Sequence, residues 1–241
     1  MKIALIIQYL DYLGTVVFAI TGLLAARRKQ LDLFGAVVIA MVTAIGGGTL
    51  RDLIIDQPVF WTQSDIYIYL IVVFTVLFFF MARFRRLPVK LLMFLDALGL
   101  AVFTVIGTQK AMMLGFSDPI AIMTGVMTGV VGGMIRDVLV GEVPLVLRKE
   151  IYATASFFGA STFLLLYQLE VAQDVAILVS IFVTLSLRVL AIVYQVELPV
   201  FVSYKAPENT SDTSNHSFSQ AEQKDLKPAK KRRLQDRSND D

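Results

Sequence analysis

The sequence predicts an all-α integral membrane protein, with seven transmembrane helices arranged as two inverted three-helix repeats plus a seventh helix. Three observations carry this expectation. The composition is 56% hydrophobic and 17% charged, with a mean hydropathy of +0.68, too apolar for a soluble domain of 241 residues that must cover itself with polar surface. Apolar stretches of about 20 residues, the length that crosses the hydrocarbon core, recur along the chain. Two motifs then reappear at one constant offset of 85 residues, as from Arg51 to Arg136.

The expected spans are 3–26, 31–55, 65–82, 91–113, 119–140, 151–168 and 174–195. The first begins MKIALIIQYLDYLG, whose single Lys2 and embedded Asp11 fit a spanning helix better than a cleaved signal. Basic residues mark alternate connections: Arg27, Arg28 and Lys29 in 27–30; Arg83, Arg85, Arg86 and Lys90 in 83–90; Arg148 and Lys149 in 141–150. The other connections, 56–65, 115–119 and 168–174, contain neither Lys nor Arg. The positive-inside rule then places the N-terminus outside and the C-terminus in the cytoplasm. The expected organisation is a first repeat over 1–88, a second, inverted repeat over 89–170, the seventh helix within 171–200, and a disordered cytoplasmic tail over 201–241. The tail lacks apolar periodicity. Its KKRR run at 230–233 reads either as a contact for anionic headgroups or as a solubilising stretch.

The duplication rests on two matches. Asp11, Gly14, Phe18 and Gly22 align with Asp96, Gly99, Phe103 and Gly107. The stretch from Thr43 to Asp52 aligns with that from Thr128 to Asp137, and a proline follows each copy, at Pro58 and Pro144. An odd number of spans per unit forces the second copy into the membrane upside down. Such repeats place a functional site near the midplane between equivalent helices, and transport is the default expectation.

Gly46, Gly47 and Gly48 in the second span, with Gly132 and Gly133 in the fifth, read as helix breaks whose freed carbonyls can coordinate cations. They read alternatively as small residues that permit close helix packing. Arg51, Asp52, Arg136 and Asp137 carry charges that a lipid-facing helix cannot hold cheaply, so they are expected to point inward as a polar network. That network serves either as part of a pathway or as a structural brace. Adjacent helical residues diverge, so each arginine is expected to find its partner on another helix. Asp11 and Asp96 are candidate vestibule charges that concentrate cations, with helix capping or hydrogen bonding as the alternative. Lys110 reads as a gating charge or as a lysine that snorkels to the outer interface, and Arg188 is expected to snorkel toward the cytoplasm.

Enzyme readings fail on inventory. The chain has no cysteine, and its one histidine, His216, lies in the tail, which removes the ligands and bases of zinc and serine chemistry. An aspartyl dyad is disfavoured because each candidate aspartate comes with an arginine that keeps it ionised. No metal site and no cofactor are expected beyond transient monovalent cations. A net charge of +2, clustered rather than spread over a face, gives no reason to expect nucleic acid.

The doubled motifs AIGGGTLRD at 44–52 and VVGGMIRDVLVGEVP at 130–144, with the starts at Asp11 and Asp96, resemble the bacterial branch of the TRIC (trimeric intracellular cation) channel family, whose repeated unit is also called the glycine transporter domain. The resemblance covers about residues 9 to 195. It implies a bacterial inner-membrane homotrimer and an hourglass pore in each protomer between kinked second and fifth helices, conducting monovalent cations such as potassium. By motif, Gly46 to Gly48 with Gly132 and Gly133 would be the kinks. Arg51, Asp52, Arg136 and Asp137 would surround them. Val131 departs from the pattern, standing where the first copy has Gly46. The leading expectation is a potassium channel in which Thr43, Thr128 and freed carbonyls replace part of the ion's hydration shell. The rival is a secondary transporter for glycine or a similar small zwitterion.

Overall fold

The computed structural model describes residues 2–83, 88–148 and 151–196. The tail with its KKRR run and His216, and the loop cations Arg85, Arg86 and Lys149, lie outside the described residues. Seven α-helices follow in order: α1 Lys2–Arg28, α2 Leu33–Ile54, α3 Ile66–Arg83, α4 Val89–Met113, α5 Asp118–Leu139, α6 Ala153–Gln168 and α7 Gln173–Tyr194. No strand occurs among the described residues. A 3-10 turn precedes each repeat's third helix, at Phe60–Gln63 and Leu145–Leu147.

Helix ends follow local chemistry. Asp32 caps α2 by accepting from the Gly35 N–H at 2.7 Å, and α5 starts after Ser117 with a proline in its first turn. The turns repeat as well: Gln30 and Gly115 both have positive φ, as do Asp56 and Gly141. Each pair is 85 residues apart.

Five helices, α1, α2, α4, α5 and α7, are long and apolar enough to cross a membrane by themselves. The equivalent helices α3 and α6 are shorter, and the 16 residues of α6 span about 24 Å at 1.5 Å per residue. Large apolar side chains such as Phe34, Leu53, Leu77, Leu178 and Phe182 are exposed, as a lipid-facing surface requires.

The centre is built by α1, α2, α4 and α5. Helix α1 packs on α2 as α4 packs on α5, and the two pairs join through α2 against α5 and α1 against α4. Helix α3 covers the first pair, α6 the second, and α7 adds against α4 and α6. Equivalent residues meet at the centre: the Phe18 and Phe103 rings lie 5.1 Å apart, Gly14 faces the Phe103 ring, and Gly99 faces the Phe18 ring. The pseudo-two-fold axis of the inverted repeat therefore passes between the two phenylalanines.

Both glycine-bearing helices run without interruption, which corrects the expected breaks. A Cβ on Gly47 would overlap the Thr128 carbonyl oxygen, and a Cβ on Gly132 would overlap that of Thr43. These glycines bring two backbones into contact, the packing role of small residues in membranes. Gly46 faces the Ile135 side chain, Gly48 the Phe60 ring, and Gly133 the Asp96 carboxylate and Tyr152 hydroxyl. Val131, at the position of Gly46, is buried.

Gly47→Ala and Gly132→Ala are each expected to destabilise the protein by about 1–3 kcal/mol through overpacking. In thermal unfolding of the purified protein, Gly46→Ala should shift the midpoint less, because only the flexible end of Ile135 must yield.

Candidate functional site

Two charge clusters sit at opposite ends of the α2–α5 seam. Each is built on the last turn of a glycine-bearing helix, where Arg51 and Arg136 lie. That position is nearer the helix ends than the midplane expected for the site. Between the clusters the seam is closed by the backbone contacts at Gly47 and Gly132.

In the first cluster Asp52 is fully buried. Its Oδ1 accepts from Arg51 Nε and Lys110 Nζ, both at 2.7 Å, and its Oδ2 accepts from the Phe60 N–H at 2.9 Å. The Arg51 guanidinium also lies 5.6 Å from the Phe60 ring centre. Asp11, from α1, accepts from the Tyr67 hydroxyl at the start of α3. The Tyr67 ring packs edge-on against Tyr12 and Phe60.

The second cluster repeats this plan with a different pairing. Asp137 Oδ1 accepts from Arg136 Nε at 2.8 Å, and its Oδ2 accepts from the Leu145 N–H at 3.0 Å. Arg136, also fully buried, donates from Nη1 to Asp96 Oδ1 at 2.7 Å and to Thr21 Oγ1 at 3.1 Å. Asp96 thus has the Arg136 ion pair in addition to the Tyr152 phenol, the equivalent of the Tyr67 phenol that binds Asp11. The two 3-10 turns are what aim the Phe60 and Leu145 amides at equivalent carboxylates.

Several expectations change. Each arginine bonds its own neighbouring aspartate, because three methylenes let Nε fold back onto a carboxylate that a backbone amide already pins. Only Arg136 also reaches another helix, at Asp96. Lys110 Nζ lies 2.7 Å from Asp52 Oδ1 on α2 while 32% of its side chain stays exposed, so it has a carboxylate partner that was not expected. Arg188 does not snorkel. It is fully buried on α7, with its guanidinium 4.5 Å from the Tyr152 ring centre and Nη1 donating to the Ile151 carbonyl at 2.9 Å. The hydroxyls of Thr43 and Thr128 donate to their own helices, at Ile39 and Thr124, and both are buried beside the seam. Among the described residues no group of acids, histidines or cysteines suits a metal.

Removing one member of a buried ion pair leaves an uncompensated charge, which typically destabilises by about 3–5 kcal/mol. Arg136→Met is expected to fall in that range, and adding Asp96→Asn should recover part of the loss. Unfolding midpoints of the two single variants and the double variant measure this coupling.

The comparisons with known proteins agree with this architecture. The profile of a family described as "Glycine transporter" matches twice, over residues 8–83 and 93–168. The UPF0126 inner membrane protein YadS of Escherichia coli (strain K12) is 43% identical over 200 residues, covering 82% of this chain and 97% of that protein. A UPF0126 membrane protein of Vibrio cholerae is 42% identical over 83% of this chain and 84% of its own length. Among solved structures, the TRIC trimeric intracellular cation channel orthologue from Rhodobacter sphaeroides superposes with a TM-score of 0.76. It is 36% identical, and the match covers 79% of this chain and 99% of that one. A Caenorhabditis elegans trimeric intracellular cation channel, at 17% identity and a TM-score of 0.56, shares the fold. With its duplicated unit, its paired Arg–Asp clusters and these matches along most of its length, the chain belongs to the bacterial branch of the TRIC family.

Proposed function

We propose that the protein is a monovalent cation channel with potassium as its principal ion, conducting through each protomer along the α2–α5 seam. The observation that carries this reading is the placement of two buried acid-and-arginine clusters at opposite ends of a seam lined by small residues. The first cluster, on this reading, faces the outside, and the second faces the cytoplasm. The similarity to solved TRIC cation channels supports the same conclusion. The trimeric assembly of those channels and the inner-membrane naming of the relatives support a homotrimer in the bacterial inner membrane; the basic residues of alternate connections are the reason for placing the N-terminus outside.

Conduction requires α2 and α5 to separate at the Gly47 and Gly132 contacts, since a hydrated ion cannot pass where backbones touch. Lys110 supplies a control point. While its ammonium sits on Asp52 it occupies the carboxylate that would attract a cation, and its departure exposes that charge. Asp11 and Asp96 stand behind Asp52 and Asp137 as further vestibule acids. Thr43 and Thr128 flank the narrowest part, where their oxygens would meet a partly dehydrated ion.

The glycine transporter reading has the family description in its favour. Its mechanism, however, needs half-helix N-termini to hold a carboxylate, and the unbroken α2 and α5 supply none.

Proteoliposomes assayed in parallel for potassium flux and for labelled glycine uptake are expected to pass potassium without accumulating glycine. Saturable glycine uptake, with potassium moving no faster than in empty vesicles, would overturn the channel reading. Asp52→Asn is expected to change the flux or its selectivity. Unchanged flux with a lowered unfolding temperature would make the cluster a brace.

A further inference from the structure

The two halves match at the residues that surround each seam carboxylate and differ at Lys110. Arg51 corresponds to Arg136, Asp52 to Asp137, Phe60 to Leu145, and Tyr67 to Tyr152. The carboxylate bonds correspond too, Oδ1 to the arginine Nε and Oδ2 to the amide of the 3-10 turn. Asp52 Oδ1 carries one further bond, from the Lys110 ammonium. The residue 85 positions before Lys110 is Ala25, so the equivalent acceptor direction on Asp137 Oδ1 receives no lysine from α1.

A cavity lies at that place. It measures about 190 Å³ and is lined by Ala25, Asp137 and Leu145 together with Glu142 and the cations Arg28, Lys29 and Arg148. A water's share of liquid volume is about 30 Å³, so the space admits a monovalent ion with several waters. The Asp137 side chain is 10% exposed, against 0% for Asp52 beneath its lysine.

We infer that Asp137 and this cavity form a monovalent-cation site, in which a free ion takes the position that the Lys110 ammonium holds on Asp52 in the other half. Among the described cations that line the cavity, Lys29 and Arg148 pair with Glu142 rather than with Asp137. Lys29 Nζ is 2.7 Å from Glu142 and Arg148 Nη2 is 3.8 Å from it, and the Lys29 hydrogen bond and charge hold the Glu142 carboxyl below its usual range. Arg28 lies close enough to act on the same carboxylate. Glu142 therefore holds Lys29 and draws Arg148, while Asp137 presents its carboxylate to the same cavity. The inference deepens the channel reading, resting on it only for the site's role as the cytoplasmic entry point.

Sodium-23 NMR on the purified full-length protein tests it. Sodium should be broadened by the wild type and released by added potassium. Ala25→Lys, which delivers a tethered ammonium to the cavity, should lose that broadening. Lys110→Met, which vacates the equivalent position on Asp52, should increase it. Broadening that is absent from the wild type, or unchanged in a folded Ala25→Lys variant, overturns the site. If Ala25→Lys does not fold, Asp137→Asn decides, a folded variant that keeps the full signal overturning the inference. Potassium flux without this signal would reject the site and keep the channel. The signal without flux would do the reverse.

Discussion

Everything in the bundle depends on the contact of two backbones, α2 at Gly47 against Thr128 and α5 at Gly132 against Thr43. No side chain fits there, so the two repeats approach as closely as helices can. With no water to expel between apolar helices, such packing is the main attraction available inside a bilayer. The contact fixes the pseudo-two-fold axis seen at Phe18 and Phe103. It also sends the last turns of α2 and α5 to opposite ends of one seam. The Arg–Asp pairs that follow the glycines in sequence thereby become two separate clusters rather than one central site.

Burying those charges in an apolar bundle demands compensation, and each half supplies it differently. Asp52 is satisfied by two cations and an amide. Arg136 is shared between two aspartates and also bonds Thr21. Arg188, contributed by the helix outside the repeat, reaches the second half by lying on Tyr152. The structure is thus symmetric in its backbone and asymmetric in its charges. On the proposed channel reading, a path with unlike ends follows from the second property, not the first.

Much of this was legible in the sequence. The seven helices, the duplication and the paired GGxxRD motifs follow from hydropathy and a constant offset, because a membrane limits a chain to few solutions. The glycines' role was not legible, since a helix break and a close backbone contact ask for the same residue. The partners of Lys110 and Arg188 were missed for one reason: depth along a helix says nothing of a partner on an element distant in sequence, Asp52 for one and Ile151 with Tyr152 for the other. Tyr67, Tyr152 and the Phe60 and Leu145 amides were missed, although the 85-residue offset links the two tyrosines. The amides have no residue signature, because any side chain can stand above a backbone N–H. The distinction between Asp11 and Asp96 was equally hidden, since it depends on which way two equivalent arginines turn.

The central claim is that cations cross by parting α2 from α5. The native chain has no cysteine, so a Gly46→Cys and Ile135→Cys pair, placed where these residues face each other across the seam, introduces the only thiols. The most direct measurement is potassium flux through this double variant before oxidation, after oxidation, and after reduction. A disulfide should stop the flux and a reductant should restore it. Full flux through the cross-linked protein would contradict it and place the path elsewhere in the molecule.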